Sequence, residues 1–307
     1  MHLQGVFPIV PTPFTDDGAL DEGSVRRIID FERRVGVHGA SVLGFMGEAH
    51  RLSNAERKQV VATAVDQGGG EFPIWVGVLA FGAAGAIEQS LEAQELGASG
   101  VFVAPLGVQN DQAIFDYYAS VAEALDIPLA IHDFPESFRT ILAPELVARM
   151  AAEIDGVKYI KLEDYPVLAK MSRIQKLAPE TFGIFGGLGG LYFLEELQRG
   201  SRGVMTGFAF PEVLLAVYDA FRAGDLGQAA AIFDRYVTLI RYEFQPKIGL
   251  GYRKFAYHRR GVIDSPFIRQ PGMKIDAYTE AEFIAVLERV GLDLDVSRSR
   301  PVEITAR

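Results

Sequence analysis

The 307-residue chain contains no cysteine, which excludes disulfide bonds and thiolate metal sites. It also lacks a basic excess: 30 Lys and Arg against 40 Asp and Glu give a net charge of −10, which disfavours nucleic acid as a partner. No run of about 18 apolar residues suggests a membrane span, and no basic stretch followed by a long apolar one indicates a secretory signal. We therefore expect a cytoplasmic enzyme that binds neither nucleic acid nor membrane.

The acidic charge balance constrains the substrate. An anionic substrate would need local positive potential, from a few Arg or Lys side chains or from backbone N–H groups. Basic residues cluster near the C-terminus, and their pattern favours a solvated helix face. They are Arg253, Lys254, His258, Arg259 and Arg260.

Eight short apolar runs alternate with segments of helical pattern, at spacings of roughly 25 to 35 residues, the length of a βα unit. The runs are apolar throughout, as parallel strands buried on both faces are. Ser53-Asn54-Ala55-Glu56 is a capping box that predicts a helix start. The pattern predicts an α/β fold, a closed (β/α)8 TIM barrel. The predicted strands are 5–10, 40–43, 74–79, 101–104, 128–132, 157–161, 182–185 and 203–206.

The pattern after the eighth unit is helical only. We predict that residues 1–222 form the barrel with the active site and that residues 223–307 form a C-terminal helical subdomain. Helices are expected at about 225–243, 246–260 and 280–291, a helical appendage on the barrel.

The active residues of such barrels lie at the C-terminal ends of the strands. Lys161 closes the sixth strand, and alternation puts Val157, Tyr159 and Lys161 on one face. A lysine at the end of an apolar inward face is costly to bury as a cation. It is therefore a candidate for an ion pair or for an amine nucleophile with a lowered pKa, although a strand lysine is usually a surface residue.

Other motifs carry a family resemblance. They are the turn Gly44-Phe45-Met46-Gly47-Glu48, the strand-six Lys161, the turn Gly186-Gly187, and Gly203-Val204-Met205-Thr206-Gly207 at strand eight. In this order and spacing, the chain resembles the dihydrodipicolinate synthase / N-acetylneuraminate lyase family of pyruvate-dependent class I lyases.

The resemblance implies roles for these residues. Lys161 would form a Schiff base with a 2-oxo acid, usually pyruvate, and the backbone N–H groups around Phe45 and Met46, with Gly47 in the same turn, would hold its carboxylate. Gly207, through its carbonyl, and Gly186 would line the site. The resemblance also implies a small-molecule substrate, no cofactor and no metal, and a homo-oligomer, either a dimer or a tetramer.

Two departures from the family pattern concern proton transfer. The family offers two hydroxyl residues in the strand-two turn, where this chain has Phe45 and Met46. It places a tyrosine near the end of strand five, where this chain has His132. An imidazole titrates near neutral pH, so His132 is predicted to take over the proton transfer, against the alternative of a packing residue.

Two more departures concern the synthases of the family. The position of a second tyrosine, contributed across a subunit contact, holds Gly107 or Leu106, and an arginine position after strand five holds Ser137, with Arg139 two residues on. We therefore do not expect a true dihydrodipicolinate synthase. Glu163 and Asp164, just after Lys161, are interpreted as a helix N-terminal cap pair.

The sequence thus predicts a Schiff-base lyase, an aldolase or a dehydratase, acting on pyruvate or another 2-oxo acid. Two alternatives stay open. One is a dehydratase or hydratase-aldolase of a 2-keto-3-deoxy acid, and the other is a non-catalytic barrel that binds a 2-oxo acid.

Overall fold

Eight short strands form the centre of the molecule. The structure, a computed structural model, describes residues 3–107, 110–292 and 304. Each observed strand begins and ends within two residues of the predicted positions. The strands are β1 (Gly5–Pro8), β2 (Ala40–Val42), β3 (Ile74–Val78), β4 (Gly100–Val103), β5 (Leu129–Asp133), β6 (Val157–Leu162), β7 (Gly183–Gly186) and β8 (Gly203–Thr206).

The strands close into a barrel. They hydrogen-bond in parallel in the order β1-β8-β7-β6-β5-β4-β3-β2. The remaining gap between β1 and β2 is bridged, because the Val10 N–H donates to the Ser41 carbonyl at 3.0 Å and the His38 N–H donates to the Val6 carbonyl at 3.1 Å. The sheet therefore has no open edge.

Helices separate successive strands, and three more follow β8 and its helix. The predicted capping box of Ser53 and Glu56 is present at the start of the helix that follows β2. The predicted (β/α)8 TIM barrel with a C-terminal helical appendage is confirmed. The helices are α1 (Glu22–Val35), α2 (Asn54–Gly68), α3 (Ala83–Glu95), α4 (Asp111–Glu123), α5 (Pro135–Phe138), α6 (Pro144–Glu153), α7 (Val167–Leu177), α8 (Phe193–Gln198), α9 (Pro211–Arg222), α10 (Leu226–Glu243), α11 (Gly249–Arg259) and α12 (Ala277–Val290).

Alternating strand residues feed two separate apolar layers. The larger layer lies between the sheet and the surrounding helices and continues into α10, α11 and α12. The smaller layer fills the barrel with large side chains, so that open space is left only at the mouth. Its members are Phe7, Ile9, Trp75, Phe102, Ala130, Tyr159, Phe185 and Met205.

A bulge in β6 sets which of its residues face inward. Leu129 of β5 pairs with Val157, but the next residue, Ala130, pairs with Tyr159, so Lys158 is the extra residue. Tyr159 lies inside the barrel, whereas Val157 packs in the outer layer. The expectation that Val157 shares the face of Tyr159 and Lys161 is therefore wrong, because the bulge shifts the alternation.

The C-terminal helices pack on the barrel as a continuation of its outer core. The division into a barrel of residues 1–222 and a subdomain of residues 223–307 stays a prediction. Its last residues, 293–303 and 305–307, lie outside the described part of the chain. Among the helices that the structure describes, none combines the length and apolar character needed to cross a lipid bilayer.

Candidate active site

Three polar side chains meet at the carboxyl end of the barrel. His132 and Lys161 are direct partners across the β5–β6 ladder, so their side chains leave the sheet next to each other. Lys161 Nζ lies 3.0 Å from His132 Nε2 and donates a hydrogen bond to Glu163 Oε2. Glu163 Oε2 lies 3.1 Å from His132 Nε2. The structure thus brings the two predicted catalytic residues together and adds a carboxylate between them.

Glu163 is the site residue that the sequence interpretation undervalued. The interpretation of Glu163 and Asp164 as a cap pair is wrong, because α7 starts after Pro166, and Pro166 is its N-cap residue. The Glu163 N–H instead donates to the Asp133 carbonyl at 2.8 Å, which extends the β5–β6 ladder by one step. Residues 161 and 163 therefore share a face of the extended chain, and this alternation is the signal in the sequence that could have identified Glu163.

Two glycines after β7 make room for buried carboxylates. A Cβ on Gly187 would lie 2.3 Å from Glu163 Cγ, so only glycine allows Glu163 its position. A Cβ on Gly186 would overlap the carboxylate of Glu196, a fully buried residue of α8. The Leu188 N–H then donates to Glu163 Oε1 at 3.0 Å and fixes the carboxylate in place.

Burial and mutual charge set the protonation of the three groups. Burial lowers the pKa of Lys161, although the Glu163 charge opposes the shift. Burial, together with the Lys161 charge, lowers the pKa of His132 to about 4, so its ring is neutral near pH 7. Burial alone would raise the pKa of Glu163, but the Lys161 charge and the hydrogen bond with His132 outweigh it and lower the pKa to about 2.

The cluster opens into a cavity of about 420 Å³ at the mouth of the barrel. Lys161 and Glu163 line this cavity, whereas His132 does not. Basic residues outnumber acidic ones in its wall, in contrast to the negative charge of the whole chain. The basic ones are Arg51, Arg139, Lys161, Lys247 and Arg253, and the acidic ones are Glu136 and Glu163.

The turn after β2 forms the wall opposite β6. Phe45–Gly47 is a single 3₁₀ turn, so the N–H groups of Phe45 and Met46 at its start have no partner within the turn. Phe45 stacks on His50 at 4.8 Å between ring centroids, and both Phe45 and Met46 line the cavity. The turn therefore offers backbone donors and an apolar wall.

The other predicted substrate-binding residues occupy different places. Gly207, directly after β8, lines the cavity, whereas Gly47 and Gly186 do not. The Gly47 carbonyl accepts a hydrogen bond from the Thr12 hydroxyl at 2.5 Å, and its N–H closes the turn on Gly44 at 2.9 Å. Gly47 therefore shapes the turn without contacting the cavity.

Side chains at the family's tyrosine and arginine positions also differ in placement. Leu106 and Gly107, the two candidates for the second tyrosine position, do not line the cavity. Ser137 and Arg139, the two candidates for the arginine position, both do. Asp133 points away from His132 and accepts a hydrogen bond from Lys170 at 2.6 Å, as its place on the opposite face of β5 requires.

The basic cluster near the C-terminus is not a solvated face, so that interpretation is wrong. Arg253, Lys254 and Arg260 are each exposed by 2% or less. Arg253 Nε donates to Glu243 Oε1 at 2.8 Å, and the rest of its side chain lines the cavity. Charged residues can be buried here because α11 lies against carboxylates of the barrel and of α10.

Lys254 connects α11 to the turn after β2. Its Nζ lies 2.5 Å from Glu48 Oε1 and donates to the Phe267 carbonyl at 2.7 Å. Glu48 also pairs with Arg51 at 2.8 Å, while its backbone adopts a left-handed φ of 56°. Glu48 therefore has a structural role at this turn.

Over residues 3–107, 110–292 and 304, the structure shows no group of three or more His, Cys, Asp or Glu side chains that could hold a metal ion.

A buried lysine amine beside a carboxylate, at the carboxyl end of a (β/α)8 barrel, is the arrangement of a class I lyase. A sequence model of the Dihydrodipicolinate synthetase family matches residues 2–290. The chain belongs to this family and is an enzyme of the Schiff-base lyase type.

Three similar proteins place the chain within the family. An L-2-keto-3-deoxyarabonate dehydratase of Azospirillum brasilense is 32% identical over 94% of both chains. A protein of Escherichia coli named "Probable 2-dehydro-3-deoxy-D-pentonate aldolase" is 29% identical over 79% of this chain and 87% of its own. The crystal structure of a dihydrodipicolinate synthase from Rhodopseudomonas palustris superposes with a TM-score of 0.89 at 33% identity, covering 94% of this chain and 97% of its own.

Proposed function

We propose that this chain is a Schiff-base dehydratase of a 2-keto-3-deoxy acid and that Lys161 forms the imine. The observation that carries the proposal is the contact of Lys161 Nζ with the Glu163 carboxylate at the wall of a basic cavity. A carboxylate in contact with the amine is in place for proton transfer at the carbon next to the imine. The similarity to an L-2-keto-3-deoxyarabonate dehydratase over most of both chains supports the same reaction class.

The first step needs a neutral amine. Burial lowers the pKa of Lys161 and so increases the neutral fraction that attacks carbon 2 of the substrate. His132 Nε2, 3.0 Å from Nζ, is placed to accept the proton that the ammonium loses. Loss of water from the carbinolamine then leaves an iminium, whose positive charge is stabilised by the Glu163 carboxylate.

Glu163 then acts on carbon 3. The iminium makes the protons of carbon 3 acidic, and the Glu163 carboxylate removes one to give an enamine. The enamine electrons expel the hydroxyl group of carbon 4, which leaves as water with the proton that Glu163 has taken. Hydrolysis of the unsaturated iminium releases the product and restores the Lys161 amine. One carboxylate thus acts first as base and then as acid.

The substrate carboxylate is proposed to bind at the turn after β2. The N–H groups of Phe45 and Met46 are free within their turn and supply an anion-binding concavity, with the Gly207 carbonyl nearby. The apolar side chains of this turn favour a substrate with few hydroxyl groups. We keep Gly47 and Gly186 as residues that shape the site, since neither lines the cavity.

Aldol cleavage is the second candidate. It starts from the same iminium, but it needs a base at the hydroxyl of carbon 4. The bond between carbons 3 and 4 then breaks, the rest of the substrate leaves as an aldehyde, and protonation and hydrolysis of the remaining enamine release pyruvate. The similarity to the Escherichia coli protein with an aldolase name favours aldol cleavage. The non-catalytic alternative lacks support of this kind, because a binder needs no proton-transfer group in contact with the amine.

Borohydride trapping and product analysis test the proposal. Reduction in the presence of pyruvate should add one reduced pyruvate unit to Lys161, and Lys161→Met should abolish the modification. Turnover of 2-keto-3-deoxypentonates should consume substrate without releasing pyruvate, and in D₂O the pyruvate bound as imine should exchange its methyl protons. Labelling of Lys158 or Lys254 instead of Lys161, or trapping without turnover of any 2-keto-3-deoxy acid, would contradict the proposed function, and release of pyruvate would establish the aldolase.

Two further expectations from the sequence are part of the proposal. The enzyme is expected to be a homo-oligomer, a dimer or a tetramer, and to work in the cytoplasm on a small-molecule 2-oxo acid. Sedimentation velocity measures the first of these directly.

A further inference from the structure

Arg253 is a buried cation with an unused hydrogen-bond donor. It lies on α11, outside the barrel strands, and only 2% of the residue is exposed. Its Nε donates to Glu243, but its Nη1 has no hydrogen-bond partner among the residues that the structure describes. A buried N–H of a guanidinium without a partner is costly, so its retention calls for a ligand.

The unpartnered nitrogen belongs to a residue that lines the cavity. A Cβ built on Gly207 would be 2.7 Å from Arg253 Nη1 and 3.3 Å from the Ile9 carbonyl, so the guanidinium lies over the ends of β8 and β1. Ile9 also lies against Gly44, which begins the turn that carries the Phe45 and Met46 N–H groups. Arg253 and the two residues that carry the backbone donors therefore line the same cavity.

The hydrogen-bond donors of this region are also not fully used by the described residues. The turn after β2 has no side-chain hydroxyl facing the cavity, only backbone N–H dipoles and the apolar Phe45 and Met46. Glu243, the ion-pair partner of Arg253, already accepts hydrogen bonds from the Ala209 N–H at 3.1 and 3.2 Å. A second carboxylate, brought by the ligand, would complete the guanidinium's set of partners.

We propose that Arg253 binds the carbon-1 carboxylate of the 2-oxo acid that is joined to Lys161, and that this contact selects 2-oxo acids over neutral ketones. The inference rests on the proposed function and deepens it, since it assigns a substrate-binding residue to the C-terminal helices. A fixed guanidinium fork gives directional recognition that two backbone dipoles do not. The positive charge of Arg253 also helps to keep the Lys161 amine neutral, because the two cations repel each other.

The test compares two small ligands that differ only in the carboxylate. Pyruvate and pyruvamide both offer a ketone to Lys161, but only pyruvate carries a negative charge. Borohydride trapping at Lys161 is measured against ligand concentration for the wild-type protein and for Arg253→Met. We expect half-saturation by pyruvate to rise about 10- to 100-fold in the variant, the loss of one charge-assisted hydrogen bond, while that by pyruvamide changes little.

Matched variants separate binding from folding. Arg259→Met removes the same charge from an exposed position of the same helix and should leave the preference for pyruvate as in the wild type. The double variant Arg253→Met with Glu243→Gln removes the buried partner charge as well, so that a fold weakened by an unpaired carboxylate is restored. It should show the same loss of preference as Arg253→Met.

The outcomes distinguish the two proposals. If pyruvate half-saturates trapping at the same concentration in wild type, in Arg253→Met and in the double variant, Arg253 does not bind the carboxylate. That result would leave the proposed function standing. An equal loss for pyruvate and pyruvamide in both variants would also overturn the proposed role of Arg253, since it would show a structural role. Absence of trapping in the wild type would overturn the proposed function and this inference together.

Discussion

Replacement of Glu163 by glutamine tests the chemistry of the site most directly. Glutamine has nearly the same shape, and its amide oxygen can still accept from the Leu188 N–H that holds Glu163 Oε1 at 3.0 Å. It cannot take up a proton from carbon 3. We expect turnover to fall about 10²- to 10⁴-fold, the range for loss of a general acid–base group, which corresponds to about 3–5.5 kcal/mol in the activation free energy.

The same variant should still form the imine. The Glu163 charge raises the pKa of Lys161 against the effect of burial. Without this charge burial and the Arg253 charge act unopposed, so the pKa of Lys161 falls further and the neutral amine extends to lower pH. Borohydride trapping with pyruvate should therefore persist at neutral pH, and its pH profile should move to lower pH.

The assay is the ratio of turnover to trapping rate, measured across pH for wild type and Glu163→Gln. Glu163→Asp is the matched control, because it keeps the charge but shortens the side chain by one methylene; it should retain more turnover than the amide. If Glu163→Gln turns over at the wild-type rate, Glu163 is not the proton-transfer group. If trapping and turnover fall together, Glu163 acts only by holding Lys161.

Three other changes probe the site and its surroundings. His132→Phe should leave trapping detectable and slow turnover about 10²- to 10⁴-fold, and unchanged turnover would make His132 a packing residue. Gly187→Ala should displace Glu163, because the added Cβ would lie 2.3 Å from Glu163 Cγ. Turnover should fall, and urea denaturation should show a free energy of unfolding lower by about 1–3 kcal/mol. Burial raises the pKa of Glu32 from 4.5 to about 8 in the folded protein. As the pH rises between these values, the unfolded chain releases the Glu32 proton while the folded protein keeps it. The free energy of unfolding of the wild type therefore falls by about 1.4 kcal/mol for each pH unit. Glu32→Gln keeps an oxygen for the Tyr257 hydroxyl and should grow more stable than wild type as the pH rises from 5 to 8 in urea titrations; parallel curves would show that Glu32 titrates normally.

The barrel was predictable because its signal is local and repeated. Eight apolar runs at regular spacing define the strands, and Lys161 is identifiable because a lysine ends an apolar run. The bulge at Lys158 was not predictable, since an extra residue in a strand leaves no mark on an otherwise alternating pattern. The bulge places Val157 in the outer core. It does not affect Tyr159 and Lys161, which follow it and still share the inward face that alternation predicts.

The site was only partly predictable, because much of it depends on contacts between distant segments. Lys161 and His132 follow from strand ends, which the sequence marks. Arg253 does not, because a basic residue in a helix is exposed unless a buried carboxylate meets it, and the partner, Glu243, belongs to another helix. Glu163 falls between these cases: its spacing from Lys161 was visible, but the strand had to continue by one residue for the spacing to matter.

The neighbouring residues Arg253 and Lys254 have a consequence for how the chain assembles. They lie about 100° apart around α11 and meet different glutamates, Glu243 and Glu48. A rotated or shifted helix would break both buried ion pairs, at about 3–5 kcal/mol for each broken pair. The two ion pairs therefore fix the position of α11. Because Glu48 belongs to the turn after β2, the proposed anion-binding wall gains its contact with Lys254 only when the last fifth of the polypeptide is present. A nascent chain that ends before α11 would therefore lack the Lys254–Glu48 ion pair at this turn.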